Sequence, residues 1–133
     1  ESLFDHHDAL RLASLDACHY MNIKLSKAGG LYHALQIVAV ADAAGILCMV
    51  GCMSETRLGL SAAAHLVSAR PQIVFDDLDG AAGLDDDPVV GGMTYDAGRI
   101  ELPDGPGHGA DIKPEVLQRL QGAVVYAPVG DEA

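Results

Sequence analysis

Apolar and polar residues follow two different periods along the first 80 residues of the chain. Residues 7–15, 31–44 and 56–69 carry Leu and Ala at helical spacing, whereas residues 20–25, 46–53 and 72–79 form short apolar runs typical of strands. Asp5 can cap the first helix, Gly45 can end the second, and Pro71 stops the third. Helices that alternate with strands at such short spacing predict a parallel β-α-β array.

The pattern changes after Gly80, where Gly, Pro and Asp become frequent. Residues 89–93 and 99–102, joined through "YDAG", predict a β-hairpin; "PDGPGHG" at 103–109 predicts a loop, and residues 114–120 a short helix. We therefore expect β/α units over residues 1–80 and a tail over residues 81–133. Three parallel strands do not close a barrel, so the chain is either a small open α/β unit or the last part of a larger fold. The missing initiator Met favours the larger fold.

Composition restricts the classes of partner. The chain has 133 residues, half of them hydrophobic, and its 8 Lys and Arg against 19 Asp and Glu give a net charge of −11. This charge repels nucleic acid and anionic membranes. The three cysteines lie in apolar segments, and neither a membrane-spanning run nor a signal peptide is present, which together predict a cytoplasmic protein with reduced thiols.

Lys24 is the first candidate for chemistry. Strand periodicity places it on the same face as Asn22, opposite Met21, Ile23 and Leu25. Lys24 also lies next to the carboxyl end of its strand, where functional groups collect in parallel α/β folds. It can be a general acid/base with a pKa lowered by burial and nearby cations, or a lysine that reaches solvent or pairs with a carboxylate.

Asp77 and Asp79 form the second candidate site. They are two residues apart at the end of a predicted strand, so both carboxylates leave the same side. The two charges repel unless a metal ion, a basic side chain or a substrate ammonium lies between them. The alternative is a solvated strand end that caps the following turn.

The segment "GCMSET" ends the middle strand and contains the third pair, Cys52 and Ser54, on one predicted face. Cys52 as a nucleophile needs a base that nothing nearby provides, so we interpret it as a small packing residue. The six histidines do not form a pattern that predicts a metal cluster. The "KAGG" turn lacks the full spacing of a phosphate-binding loop.

The segments "NIKLSKAGG", "CMVGCMSE", "DLDG" and "PDGPGHG", in this order, resemble the C-terminal part of the enolase superfamily. The resemblance runs from "ESLF" to about Ile112 and is closest to the dipeptide epimerases of the L-Ala-D/L-Glu type, in the muconate-lactonizing subgroup. Members are modified (β/α)7β barrels with an N-terminal capping domain. The resemblance thus implies the sixth to eighth strands of a TIM-like barrel, plus a tail hairpin that packs towards a capping domain absent from this chain.

The resemblance also implies a reaction, the epimerisation of dipeptides through removal and return of the proton α to a carboxylate. Mg²⁺ stabilises the enediolate, and two lysines on opposite faces of the carbon act as acid and base. Lys24 matches the sixth-strand lysine. Asp77 and Asp79 match the pair that receives the α-ammonium of the dipeptide, and Cys52 and Ser54 match seventh-strand positions that line the substrate pocket.

Several parts of such an enzyme are expected upstream of Glu1: the metal ligands, the second lysine and the capping domain. We therefore expect the 133-residue chain alone to be inactive and to need the N-terminal half of the same barrel as its partner. Ser54 is smaller and more polar than the residue of many relatives, so the acidic side-chain preference of the best-known members is not implied. The preferred dipeptide also depends on capping-domain loops outside this chain, and the sequence does not distinguish a monomer from a homo-oligomer. The alternatives are a muconate-lactonizing enzyme, a succinylbenzoate synthase, an N-acylamino acid racemase, or a non-catalytic binding module.

Overall fold

The computed structural model describes residues 2–121 of the chain. Glu1 and residues 122–133, at the two ends of the predicted units, lie outside the described residues. The elements follow in the order α1 (His6–Ser14), β1 (Tyr20–Lys24), α2 (Leu25–Ala28), α3 (Leu31–Ala43), β2 (Leu47–Gly51), α4 (Arg57–Ala69), β3 (Ile73–Asp77), a 3₁₀ turn (Gly80–Gly83), β4 (Val89–Gly91), β5 (Thr94–Asp96), β6 (Arg99–Glu101), β7 (Ala110–Ile112) and α5 (Pro114–Gln121). None of these helices is long and apolar enough to cross a membrane.

Strands β1, β2 and β3 form a parallel sheet in that order, which confirms the predicted β-α-β array. Helices α3 and α4 cover one face of the sheet, and α1 packs against α3. Each large apolar side chain buried there stabilises the fold by about 1.5–3 kcal/mol. The buried apolar residues between the layers include Met21, Ile23, Cys48 and Val50 from the sheet, Ile37 and Ala41 from α3, and Leu60 and Leu66 from α4.

The opposite face of the sheet is open within the described residues. Tyr20, Leu47 and Phe75 lie on this face with 50%, 40% and 54% of their surface exposed, and the rings of Tyr20 and Phe75 are 5.5 Å apart. A nearly continuous apolar run such as residues 46–53 predicts a parallel strand covered on both sides, but residues 2–121 cover the middle strand on one face. Its continuous apolar run combines a face buried by helices with a second apolar face that these residues leave uncovered.

The helix boundaries follow the residues that predicted them. The Asp5 carboxylate accepts hydrogen bonds from the backbone N–H groups of His7 and Asp8, both at 2.9 Å, and so caps α1. Gly45 follows the end of α3 with a φ of 70°, a left-handed conformation that favours glycine. The predicted helix at residues 114–120 is confirmed as α5. Leu25 differs from the prediction, because it begins the short helix α2 instead of continuing β1.

Strand β3 is shorter than predicted and irregular. It ends at Asp77, so Asp79 is not a strand residue and instead immediately precedes the 3₁₀ turn. Cys48 pairs with Ile73 and Met49 pairs with Phe75, which leaves Val74 as an extra residue between them. Such a bulge changes the face on which every later side chain lies.

The tail pairs differently from the prediction. A hairpin onto the predicted second strand at residues 99–102 is present, but its first strand is β5 and not residues 89–93: β5 pairs with β6, whereas β4 pairs with β7, both antiparallel. Gly91 and Gly92 have φ values of 68° and 74° and turn the chain between β4 and β5. The glycine pair thus divides one apparent strand into two, and the partner of β4 comes from beyond the Gly- and Pro-rich loop.

Arg57, the first residue of α4, holds the tail against the β/α units. Its Nε donates to the carboxylate of Asp87, and its terminal nitrogens donate to the carbonyl oxygens of Val89, Gly91 and Met93 at 3.0, 2.9 and 3.1 Å. The planar guanidinium, with its several N–H donors, is suited to binding several acceptors at once. One side chain thereby satisfies three backbone carbonyls and one charge.

Ser61, one turn after Arg57, adds a second attachment. Its hydroxyl is fully buried, donates to the Arg57 carbonyl at 2.6 Å and accepts the Met93 N–H at 2.9 Å. A Cβ atom on Gly92 would lie 2.5 Å from the Ser61 oxygen, so the tail can approach this closely because Gly92 lacks a side chain. The start of α4 and the segment after β4 therefore form one packed unit.

Replacing Arg57 with Lys should lower the free energy of unfolding by about 2 kcal/mol, because a lysine leaves several of these partly buried acceptors unpaired. The midpoint of urea denaturation measures this change. Arg70→Lys, at the exposed opposite end of the same helix, is the matched control and should leave the midpoint unchanged. Equal midpoints for the two variants would contradict the role assigned to Arg57.

Candidate active site

The carboxyl ends of the three parallel strands bring Lys24, Gly51 and Asp77 into one row. Lys24 pairs with Gly51, and Gly51 pairs with Asp77 across the sheet. Cα partners in a parallel sheet share a face, so the lysine and the aspartate lie on the same side with a glycine between them. A Cβ atom on Gly51 would come within 2.8 Å of the Asn22 Oδ1 and 3.4 Å of the Lys24 Cε. Gly51 therefore lacks a side chain where the Asn22 amide and the Lys24 stem lie over the middle strand.

Lys24 is half-buried and its Nζ lies 3.7 Å from the Sδ of Met53. A thioether sulfur accepts hydrogen bonds weakly. Within residues 2–121, no salt bridge joins Lys24 to Asp77 or Asp79. The alternative of an internal ion pair between Lys24 and the aspartates therefore finds no support in the described geometry.

Asp77 ends β3, and Asp79 lies beyond the strand. The Leu78 side chain between them is buried, with 3% of its surface exposed, whereas both aspartates are exposed. The next residue, Gly80, packs against the end of the middle strand, since a Cβ atom there would lie 2.4 Å from the Met53 carbonyl oxygen. The buried Leu78 and the close-packed Gly80 thus fix the backbone around both aspartates, and both carboxylates act on the Cys52 thiol.

Cys52 lies where these segments meet. Burial raises the pKa of its thiol, a hydrogen bond from the Gly80 backbone lowers it in part, and the carboxylates of Asp77, Asp79 and Glu55 raise it further. This environment disfavours the thiolate and agrees with a packing role. Ser54 differs from the prediction, because β2 ends at Gly51 and Ser54 is exposed in the following loop. No side-chain hydrogen bond connects Ser54 to the other candidates within the described part of the chain.

Tyr95 is a residue of this region that the sequence did not indicate. Its hydroxyl donates a hydrogen bond of 2.6 Å to the carbonyl oxygen of Leu78, between the two aspartates. Burial raises the pKa of the Tyr95 hydroxyl, and the charges of Cys52 and Asp79 raise it further. Tyr95 belongs to β5, and its position depends on how the tail folds back. No local sequence signal could have placed it here.

A cavity of about 400 Å³ lies on the other side of the aspartate segment, between α4 and β6. Asp76 and Arg99 line it, and none of the predicted site residues does. Asp76 therefore lies on the cavity side of the strand, whereas Asp77 lies on the same face as Lys24. Among residues 2–121, no group of three or more His, Cys, Asp or Glu side chains could hold a metal ion.

Comparison with known proteins identifies a matching family and several relatives of similar sequence. Residues 1–116 match the family model described as enolase C-terminal domain-like. The chain is 45% identical over 111 residues to the L-Ala-D/L-Glu epimerase of Clostridium acetobutylicum, covering 84% of this chain and 31% of the relative. It is 47% identical over 98 residues to the hydrophobic dipeptide epimerase of Enterococcus faecalis, covering 73% of this chain and 28% of the relative.

A solved structure shows the same architecture. The dipeptide epimerase of Cytophaga hutchinsonii, complexed with Mg and the dipeptide D-Ala-L-Val, matches with a TM-score of 0.85 at 38% identity, over 89% of this chain and 32% of that chain. Our chain thus spans less than a third of the length of these relatives. The mixed α/β fold implied by the resemblance is confirmed.

The surroundings of Cys52 predict how its thiol reacts. Because its pKa is raised, the thiolate is a small minority at neutral pH, and alkylation by iodoacetamide should be slow at pH 7. The rate should still increase with pH above 9, which mass spectrometry of the labelled peptide measures. Cys48 is the internal reference, since burial raises its pKa to about 11 and it should label more slowly still. A Cys52 rate that levels off below pH 8 would indicate a stabilised thiolate and a nucleophile.

Proposed function

The chain belongs to the enolase C-terminal domain-like family, and from this premise we propose that it provides one catalytic lysine and the substrate-ammonium site of a magnesium-dependent dipeptide epimerase. The observation that carries the proposal is the row formed by Lys24, Gly51 and Asp77, with Asp79 beside it. It sets a base and a carboxylate in register on the two sides of the middle strand. A dipeptide carries the α-proton to be removed next to its carboxylate and a free ammonium at its other end, and these two groups need separate partners.

Lys24 is the proposed acid/base. In its neutral form it takes the proton from the carbon next to the dipeptide carboxylate: the C–H bond breaks, an N–H bond forms, and the electron pair moves into the carboxylate group. A group on the opposite face of the carbon then delivers the new proton; in the reverse direction that group removes the proton, and Lys24 as the ammonium delivers one. The weak Met53 contact supports this role, because the sulfur competes little for the lysine N–H groups. A second acid/base on the opposite face completes the inversion.

Asp77 and Asp79 are the proposed acceptors of the dipeptide α-ammonium. Both are exposed at the strand end, and neither is paired with Lys24 within the described residues. Two neighbouring carboxylates repel each other, and an ammonium between them removes the repulsion while it forms charge-assisted hydrogen bonds. Cys52, packed beside them, and Ser54, in the adjacent loop, are the proposed pocket residues on the middle strand side.

Mg²⁺ is the proposed cofactor, and when bound it supplies positive charge beside the substrate carboxylate. We assign its ligands, as the family resemblance implies, to a part of the protein upstream of Glu1. The same applies to the second lysine. We assign residues 1–80 to the sixth to eighth β/α units of a barrel and residues 81–133 to a tail directed to a capping domain. The open sheet face would pack against the remaining strands.

The free thiols of Cys18, Cys48 and Cys52 suit a reducing compartment such as the cytoplasm. Experiments on activity therefore use the whole polypeptide that carries this chain, purified under reducing conditions. The proposed N-terminal half of the barrel is then included, so that the proposed Mg²⁺ ligands and the proposed second lysine are available to the site.

Lys24→Ala should reduce dipeptide epimerisation about 10³-fold, because the substitution removes one of the two proton-transfer groups. Loss of the α-proton signal, followed by NMR in D₂O with Mg²⁺, measures the rate. Lys113→Ala, at a lysine of the tail that pairs with Asp86, is the control and should keep the parent rate. Wild-type inversion by the Lys24 variant would show that Lys24 is not the acid/base.

Asp77→Asn should lower kcat/KM for dipeptides about 10- to 100-fold, since it removes one charged acceptor of the ammonium. Asp76→Asn is a matched control, one residue away but on the cavity side, and should remain close to the parent. Steady-state kinetics with a panel of dipeptides and their N-succinylated forms measure the difference. Efficient turnover of N-succinylated substrates, unaffected by Asp77→Asn, would instead indicate an N-acylamino acid racemase.

A further inference from the structure

The aspartate pair depends on a residue that is distant in sequence. The Tyr95 hydroxyl donates a 2.6 Å hydrogen bond to the carbonyl of Leu78, the residue that separates Asp77 from Asp79. A carbonyl direction fixes the plane of the peptide that follows it. The Tyr95 hydrogen bond therefore fixes the peptide that leads into Asp79, and with it the direction in which the Asp79 side chain leaves the backbone.

Three contacts together immobilise this segment. The Leu78 side chain is anchored in the core, its carbonyl is held by Tyr95, and Gly80 lies against Met53. The first and third contacts belong to the β/α units, whereas the second comes from the tail. Without the tail contact, the peptide between Leu78 and Asp79 would keep its side-chain anchor but lose the group that sets its rotation.

Tyr95 itself is presented on a rigid support. Arg57 holds the residues just before β5, because its guanidinium donates hydrogen bonds to the carbonyls of Gly91 and Met93. A two-residue turn at Ala97 and Gly98, with φ values of 46° and 84°, closes the hairpin on the other side. The Tyr95 hydroxyl is thus placed by the fold of the tail, not by the flexibility of its own side chain.

We propose that Tyr95 is a positioning residue of the substrate-ammonium site, which holds the Leu78 carbonyl so that Asp77 and Asp79 converge on one cation. The inference rests on the proposed function and adds to it a dependence on the tail. Recognition of the free amino end of the dipeptide then requires a correctly docked β5–β6 hairpin, although the hairpin itself supplies no group to the ammonium.

The test compares Tyr95→Phe with the matched control Tyr32→Phe in the whole polypeptide. Tyr95→Phe removes one hydroxyl and keeps the ring, and Tyr32 is an exposed tyrosine on α3. We expect KM for a dipeptide to rise about fivefold in Tyr95→Phe, the typical effect of one lost hydrogen bond, with kcat changed less than about twofold. Weaker ammonium binding affects the ground state and the transition state alike, which explains the separation of KM from kcat. Tyr32→Phe should match the parent in both constants.

A double variant tests whether Tyr95 affects KM through the Asp79 side chain. In an Asp79→Asn background, Tyr95→Phe should raise KM further by less than about twofold, because the side chain that it positions has already lost its charge. A fivefold rise in that background would overturn the inference, since Tyr95 would then act on another part of the site. A lower melting temperature without any change in KM would also overturn it and leave Tyr95 a structural role alone.

Hydrogen exchange gives a readout that does not require turnover. The amide of Ala82 donates to the Asp79 carbonyl at 2.8 Å, so its exchange reports the order of the segment that follows Leu78. It should exchange severalfold faster in Tyr95→Phe than in Tyr32→Phe, and equal rates would overturn the inference. If the parent protein epimerised no dipeptide, the proposed function would fail, while faster exchange in Tyr95→Phe would still support the positioning of the aspartate segment.

Discussion

The register of β3 against β2 determines which acidic side chain enters the candidate site. The bulge at Val74 pairs Gly51 with Asp77, and a regular ladder from Ile73 onwards would have paired Gly51 with Asp76. Ile73 is buried on the helix side, which fixes the strand before the bulge, and the buried Leu78 fixes it afterwards. Two apolar anchors on either side of one extra residue therefore decide which aspartate lies in register with Gly51 and Lys24.

The tail stabilises this edge of the sheet from outside. Arg57 binds Asp87 and three backbone carbonyls, and its guanidinium is partly buried, so the contacts are poorly replaced by water. Because Arg57 also starts α4, the helix that follows the Cys52 loop, the position of the loop and the position of the tail are linked. Tyr95 extends the same link to the aspartate segment.

The sequence predicts the regular part of this molecule well. Helical spacing, the Asp5 cap and the strand position of Lys24 depend on neighbours within a few residues, and such local preferences are readable. The Val74 bulge, the pairing of β4 with β7 and the Tyr95 contact depend on residues far apart in the chain. Strand alternation does not extend to Asp79, because the strand ends at Asp77 and Leu78 is buried beyond it.

Two glycines determine how closely polar segments approach the middle strand. Gly51 leaves room for the Asn22 amide and the Lys24 stem, and Gly80 lets the aspartate segment pack against the strand end. Around Cys52 the carboxylates of Asp77, Asp79 and Glu55 all raise the pKa of the thiol, so this strand edge is locally negative. A cationic group placed beside these carboxylates forms charge-assisted hydrogen bonds, whereas a neutral group that displaces water leaves them desolvated without compensation. Electrostatics at this strand edge therefore favour a cationic over a neutral neighbour.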